Sequence, residues 1–125
     1  MKLKVLIADD SDDIVRRLRN MVLDLDYVSG IGHARNGDEA LVVTNFMQPS
    51  VVILDIRMPG RSGIETLKEI KQNLPQTTVI ILTNHSEEEW RSHCLDAGAD
   101  HFLDKSKEFD KIPSILGAIA GNPVN

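Results

Sequence analysis

Apolar positions along the chain fall into two alternating patterns. Val5-Leu6-Ile7-Ala8, Val51-Val52-Ile53-Leu54 and Thr77-Thr78-Val79-Ile80-Ile81-Leu82-Thr83 are runs too short for helices and rich in β-branched residues, so they predict strands buried on both faces. Val28 to Ala34, interrupted by Gly30 and Gly32, predicts a weaker strand, and Asp100-His101-Phe102-Leu103 a short fifth one. Between them apolar residues recur at helical spacing. Ile14, Val15, Leu18, Met21, Val22 and Leu25 mark a helix capped by Ser11 or Asp12, and Ala40, Leu41, Thr44 and Met47 a second, entered through an Asn36-Gly37 turn and ending before Pro49. Leu67, Ile70 and Leu74 set a third helix, entered through a loop that Gly60 and Gly63 loosen. Ser86-Glu87-Glu88-Glu89 reads as a capping box opening a fourth that buries Trp90, Cys94 and Ala97. Ile112, Ile115, Leu116 and Ile119 mark a fifth, with Pro113 tolerable in its first turn, and residues 121–125 read as a tail.

Strict alternation with short loops favours parallel pairing by right-handed crossovers, with helices on both faces. The expected fold is α/β: an open five-stranded parallel sheet of order 2-1-3-4-5 with five helices, as in flavodoxin. At 125 residues the chain makes one ordinary domain, 1–125, burying roughly two-thirds of its unfolded surface.

Composition narrows the function classes. Fourteen basic against nineteen acidic residues, with no basic run, argue against direct nucleic-acid binding. The basic start Met1-Lys2-Leu3-Lys4 precedes an apolar stretch shorter than the ~7 to 15 residues of a signal peptide, so neither secretion nor a membrane span is expected. Cys94 stands alone, which points to a reducing, cytoplasmic setting and a packing role.

In a sheet of this kind ligands gather beyond the carboxyl ends of the strands. Strand one delivers Asp9 and Asp10 there, strand three Asp55, strand four Thr83 and strand five Lys105. An aspartate such as Asp55, by itself, serves equally well to start a turn or cap a helix. Three together are different. Two bare carboxylates about 4 Å apart repel by roughly 4 kcal/mol at an effective dielectric of about 20, and one lysine is too little compensation. An all-oxygen cluster of this kind suits Mg2+ rather than zinc, and the cation with Lys105 and the Thr83 hydroxyl would stabilise a phosphoryl group arriving at Asp55.

The pieces Val5-Leu6-Ile7-Ala8-Asp9-Asp10, Ala34-Arg35-Asn36-Gly37-Asp38-Glu39-Ala40-Leu41, Leu54-Asp55-Ile56-Arg57-Met58-Pro59-Gly60, Ile81-Leu82-Thr83 and Ala97 to Lys105 occur in order. In them the chain resembles the receiver domain of bacterial two-component response regulators, over nearly its whole length. The resemblance implies that Asp55 takes a phosphoryl group from a phosphohistidine on a sensor histidine kinase or histidine phosphotransfer protein. It assigns magnesium to the side chains of Asp10 and Asp55, to Asp9 mainly through water, and to the Arg57 backbone carbonyl. Thr83 and Lys105 would hold the phosphoryl oxygens, and Phe102 would be the switch aromatic that turns inward as Thr83 moves. The readout surface would be the fourth helix, fifth strand and fifth helix, meeting a downstream protein or a second copy, with Trp90 and Phe109 as contact aromatics. No catalysis is implied beyond the domain's own phosphorylation and dephosphorylation.

Departures from the family pattern are informative. Ser106 follows the lysine where proline is frequent, a variant associated with regulators of the nitrate-response and quorum-sensing type. Asn84 replaces a small residue after Thr83 and would crowd the site. Arg57 and His85 flank the route by which water reaches a phosphoaspartate, so both are candidates for setting its lifetime. His33, His93 and His101 lack metal-ligand spacing.

Three other readings fit the residues less well. A phosphatase of the haloacid dehalogenase type needs a second aspartate two residues after a nucleophile on strand one, where this chain has Ser11. A flavin module needs a Ser/Thr/Gly phosphate cradle in the first loop, which is absent. A degenerate receiver is opposed by intact Asp9, Asp10, Asp55, Thr83 and Lys105. The receiver itself acts alone by docking, or is part of a longer, DNA-binding regulator.

Overall fold

The computed structural model describes residues 2–121. In chain order the elements are β1 (Leu3–Ala8), α1 (Asp12–Leu23), β2 (Val28–Ala34), α2 (Gly37–Met47), β3 (Val51–Leu54), α3 (Gly63–Asn73), β4 (Thr78–Thr83), α4 (Glu88–Asp96), β5 (His101–Asp104) and α5 (Ile112–Ile119), with a 3-10 turn, Phe109–Lys111, leading into α5. The strands pair in parallel in the order β2-β1-β3-β4-β5, as the alternation of patterns predicts. Residues 122–125 of the expected tail lie outside the described residues.

Period-two alternation along the central strands builds two cores. Val5, Ile7, Val51, Ile53, Ile80 and Leu82 face one side, where α1 and α5 cover them through Val15, Leu18, Val22, Ile112 and Leu116. Leu6, Val52, Leu54, Val79 and Ile81 face the other, under Ala40, Leu67, Ile70 and Cys94 of α2, α3 and α4. Both faces of the central strands are thus dry, which is why they read as unbroken apolar runs. Cys94 is wholly buried and its thiol is pushed up to about 11 by that burial, in keeping with a packing role.

Helix starts are fixed by short side chains. Ser11 Oγ accepts from the Ile14 N–H at 3.3 Å, Asn36 Oδ1 from Glu39 N–H at 2.8 Å, and Ser62 Oγ from Glu65 N–H at 3.1 Å. Each such cap stabilises its helix by about 1 kcal/mol. Two sequence expectations change here. Asn36-Gly37 is a cap and first helical residue rather than a turn, and Gly37 is there for space: a Cβ would lie 2.5 Å from Thr66 Oγ1. Gly63 does not loosen its loop but tightens it, because it opens α3 with its Cα against the backbone of Ile56, where a Cβ would sit 2.3 Å from the Ile56 Cα.

The expected capping box of α4 does not form. Glu87 occupies the N-cap position without a side-chain cap bond, and the Ser86 hydroxyl donates instead to Asp104 across the sheet end. Trp90 is half-buried and Cys94 is the buried residue of α4.

Candidate functional site

The parallel register sets the strand exits level with one another. Ala8 pairs with Leu54, and the Asp55 N–H donates to the Ala8 carbonyl at 3.0 Å, so Asp9 and Asp55 leave the sheet side by side. Leu54 pairs with Ile81, which carries Thr83 two residues further out, and Thr83 pairs with Asp104, which puts Lys105 next to leave. The residues singled out from the strand ends therefore meet at one edge because the pairing offsets agree.

Asp9, Asp55, Thr83 and Lys105 are all buried, while Asp10 is exposed. Lys105 Nζ donates to Asp9 Oδ2 at 2.8 Å and to Asp55 Oδ2 at 3.0 Å. The remaining oxygens are held from the backbone: Ser11 N–H donates to Asp9 Oδ1 at 2.9 Å and Arg57 N–H to Asp55 Oδ1 at 3.1 Å. Carboxylate oxygens of Asp9, Asp10 and Asp55 lie within 4.8 Å of one another. One ammonium against three carboxylates leaves two negative charges uncompensated, and with only oxygen donors converging the cluster fits a magnesium ion.

The electrostatics follow from the low solvent access. Burial pushes the Asp9 carboxyl above the usual carboxylate range, and the hydrogen bonds from Lys105 and Ser11 pull it only part of the way back. Burial also works against the Lys105 ammonium, but the hydrogen bonds and attraction of Asp9 and Asp55 outweigh it and hold its pKa above the ordinary lysine value. The lysine is charged throughout the neutral range.

Thr83 Oγ1 accepts the His85 N–H at 3.1 Å, which leaves its O–H to donate. Phe102 is only 5% exposed and packs into the core under α2, α3 and α4, with the Arg91 guanidinium 5.9 Å from its ring centroid and Arg91 Nη1 donating to its carbonyl at 3.4 Å. Arg57 is exposed and His85 half-buried. Asn84, next to Thr83, is exposed. His33 is half-buried, its Nε2 3.2 Å from the Asp9 carbonyl oxygen. Of the aromatics expected on the readout face, Phe109 has the Arg17 guanidinium of α1 over its ring, 4.5 Å from ring centroid to Cζ, and Trp90 lines a groove with Ile56, Met58 and Ile64 on the α3 side of α4.

The chain matches the family description "Response regulator receiver domain" over residues 5–116. It belongs to the receiver family. Relatives include the response regulator GacA of Pseudomonas protegens, 31% identical over 82% of this chain and 48% of that protein. Another is the uncharacterized transcriptional regulatory protein YhcZ of Bacillus subtilis, 34% identical over 88% and 51%. Among solved structures, the signal receiver domain of the putative response regulator NarL from Mycobacterium tuberculosis superposes with a TM-score of 0.85 at 26% identity, covering 96% of this chain and 98% of that one. The receiver spans about half the length of the curated relatives it matches. Similarity to the NarL receiver domain agrees with the resemblance that Ser106 suggests. Among the described residues no helix is long and apolar enough to cross a membrane.

Residues the strand-exit reading did not single out also shape this edge. Ser11 supplies an N–H to Asp9, Arg91 sits over Phe102, and Asp104 accepts from Ser86, Ser106 and Lys107. Asp104 alone had a sequence signal, an acid directly before the lysine and two before a serine.

Proposed function

We propose that this receiver, as a single domain over residues 1–125, accepts a phosphoryl group on Asp55 from a phosphohistidine of a kinase or phosphotransfer protein. The observation that carries the reading is the Asp55 carboxylate, buried and held between the Lys105 ammonium and the Arg57 N–H beside two further carboxylates. An Asp55 oxygen attacks phosphorus as the P–N bond breaks, and the leaving imidazole keeps the bond's electron pair and takes up a proton. Lys105 is in place to meet the phosphoryl oxygens, and the Thr83 O–H can turn to another. Asp10 and Asp55, with the Arg57 carbonyl, would hold magnesium, Asp9 through water. When bound, the ion supplies positive charge to the developing phosphoryl oxygens.

A cytoplasmic setting goes with such donors. The added charge biases the fold's equilibrium and so alters the α4–β5–α5 surface that a target protein or second copy would read. Because the Phe102 ring is already inside, the change on phosphorylation is expected chiefly at Thr83 and the loop that follows it. Incubation with a small-molecule phosphodonor and magnesium should add one phosphoryl group, mapped to Asp55 by mass spectrometry, and a chelator should abolish it. A folded protein that gains nothing under these conditions overturns the reading. A beryllium fluoride mimic should shift the Thr83 resonances.

The lengths of the relatives favour one further reading of the output. The matched segment is 48% of GacA and 51% of YhcZ, and YhcZ is described as a transcriptional regulatory protein, which supports a role as the receiver part of a DNA-binding regulator.

Arg57, exposed beside the acceptor, is proposed to shield the phosphoaspartate from water, with His85 on the other side. Arg57→Ala should raise the hydrolysis rate several-fold, on the order of one hydrogen-bond energy in the barrier. The check is decay of the phosphorylated protein after donor removal, and an unchanged half-life refutes the shielding role.

A further inference from the structure

Lys105 must hold one ammonium within hydrogen-bond distance of two carboxylates, which demands a fixed backbone at the point where the chain leaves the sheet. On the strand side it has one: Lys105 N–H donates to the Thr83 carbonyl at 2.8 Å. On the exit side β5 has ended at Asp104. There the Asp104 carboxylate takes over, its Oδ1 accepting from Ser106 N–H at 2.8 Å and from Lys107 N–H at 3.0 Å, the two amides directly after Lys105. Glu108 closes the turn, its N–H donating to the Asp104 carbonyl at 2.9 Å and its Oε1 accepting from the Asp104 N–H at 3.0 Å. The other carboxylate oxygen of Asp104 accepts from the Ser86 hydroxyl, so the loop after Thr83 is tied to the same side chain.

We infer that Asp104 is a positioning residue for Lys105: its carboxylate fixes the turn that aims the ammonium at Asp9 and Asp55, and links that turn to the loop carrying Thr83. The part of this inference that concerns phosphoryl transfer rests on the reading of Asp55 given above. Hydrogen bonds from Ser86 and from the Ser106 and Lys107 amides hold the Asp104 carboxyl below the usual range, so it is ionised at neutral pH. Ser106 brings no backbone rigidity of its own, which leaves the task to this side chain.

The test compares Asp104→Ala, Asp104→Glu and Asp104→Asn with the unaltered protein in two assays. The first is the rate at which an amine-reactive reagent labels Lys105, read by mass spectrometry with Lys71 as the control. Lys71 is held elsewhere, by the Thr77 carbonyl at 2.8 Å and Asp100 at 3.1 Å. Ala and Glu should label Lys105 about tenfold faster, the change that loss of one hydrogen bond to the charged group allows, with Lys71 unchanged. Asn, whose Oδ1 can still accept both amides, should label at the unaltered rate. The second assay is phosphorylation by a small-molecule donor with magnesium, which should slow about tenfold in Ala and Glu and recover in Asn.

Equal Lys105 labelling in all four proteins overturns the inference whether or not Asp55 is phosphorylated, and so does Asn behaving like Ala. Should Asp104→Ala fail to fold, Asp104→Glu, which keeps the charge but moves it by one methylene, carries the comparison. An unaltered protein that takes no phosphoryl group counts against the reading of Asp55 and leaves the labelling result as the judge of Asp104.

Discussion

Asp55→Asn is expected to lose phosphoryl uptake altogether while keeping its fold. The amide oxygen is not a nucleophile, and each Asp55 oxygen now has a defined partner, Lys105 Nζ at 3.0 Å and Arg57 N–H at 3.1 Å, so the substitution changes the chemistry with little change of shape. Removing one of the crowded carboxylates relieves repulsion worth up to roughly 4 kcal/mol at 4 Å and an effective dielectric of about 20, part of it offset by the weaker bond to Lys105. Thermal melting should accordingly hold or rise. Two measurements check it: intact-protein mass after exposure to a phosphodonor with magnesium, and a melting curve. Residual phosphorylation at an unchanged rate would show that the acceptor lies elsewhere.

Lys105→Met should have the second largest effect, on stability as well as transfer. Taking away the ammonium leaves Asp9 and Asp55 buried without a counter-charge, and breaking one side of such a pair costs about 3–5 kcal/mol. Loss of one donor to the transferring group is expected to slow phosphorylation by about 10²- to 10³-fold. The pH dependence has a definite sign. Asp9 binds its proton more tightly folded than unfolded, so it contributes stability below its ordinary value of 3.8 that is lost as pH rises through its raised folded pKa. Without Lys105 that folded pKa climbs further, and the variant should regain stability on acidification earlier than the unaltered protein does. In the unaltered protein the Lys105 contribution is complete below 10.5 and disappears as pH rises through its raised folded value. Denaturant titrations from acid to alkaline pH, with and without magnesium, separate these effects. Identical midpoints at neutral pH would mean that Lys105 does not compensate the cluster.

How much of this could be read from the residues varies with the kind of interaction. Strands and their order were legible because an interior strand must be apolar on both faces, and Val51–Leu54 and Thr78–Thr83 are. The site was legible for a related reason: in a parallel sheet every strand ends on the same edge, so Asp9, Asp55, Thr83 and Lys105 converge by topology alone. The Ser86 cap does not form because α4 begins one residue later than the Ser86-to-Glu89 pattern suggests, with Glu87 at the N-cap position. The Ser86 O–H donates to Asp104 at the end of another strand, a contact that no local pattern announces. The contact of Arg17 with the Phe109 ring could not be read from the residues, because the two are far apart along the chain.

The feature that organises the molecule shows the same division. From the sequence alone it followed that Val51–Leu54 is a buried strand ending on Asp55, and that four other strand-end residues share its edge, because side-chain period and crossover handedness are properties of a local pattern. Only the tertiary structure decided that Asp55 is 7% exposed, bonded to Lys105 and Arg57, and flanked by a turn that Asp104 holds in place. Those facts depend on ångström-scale distances between segments distant in sequence, and no residue type or spacing encodes such a distance by itself.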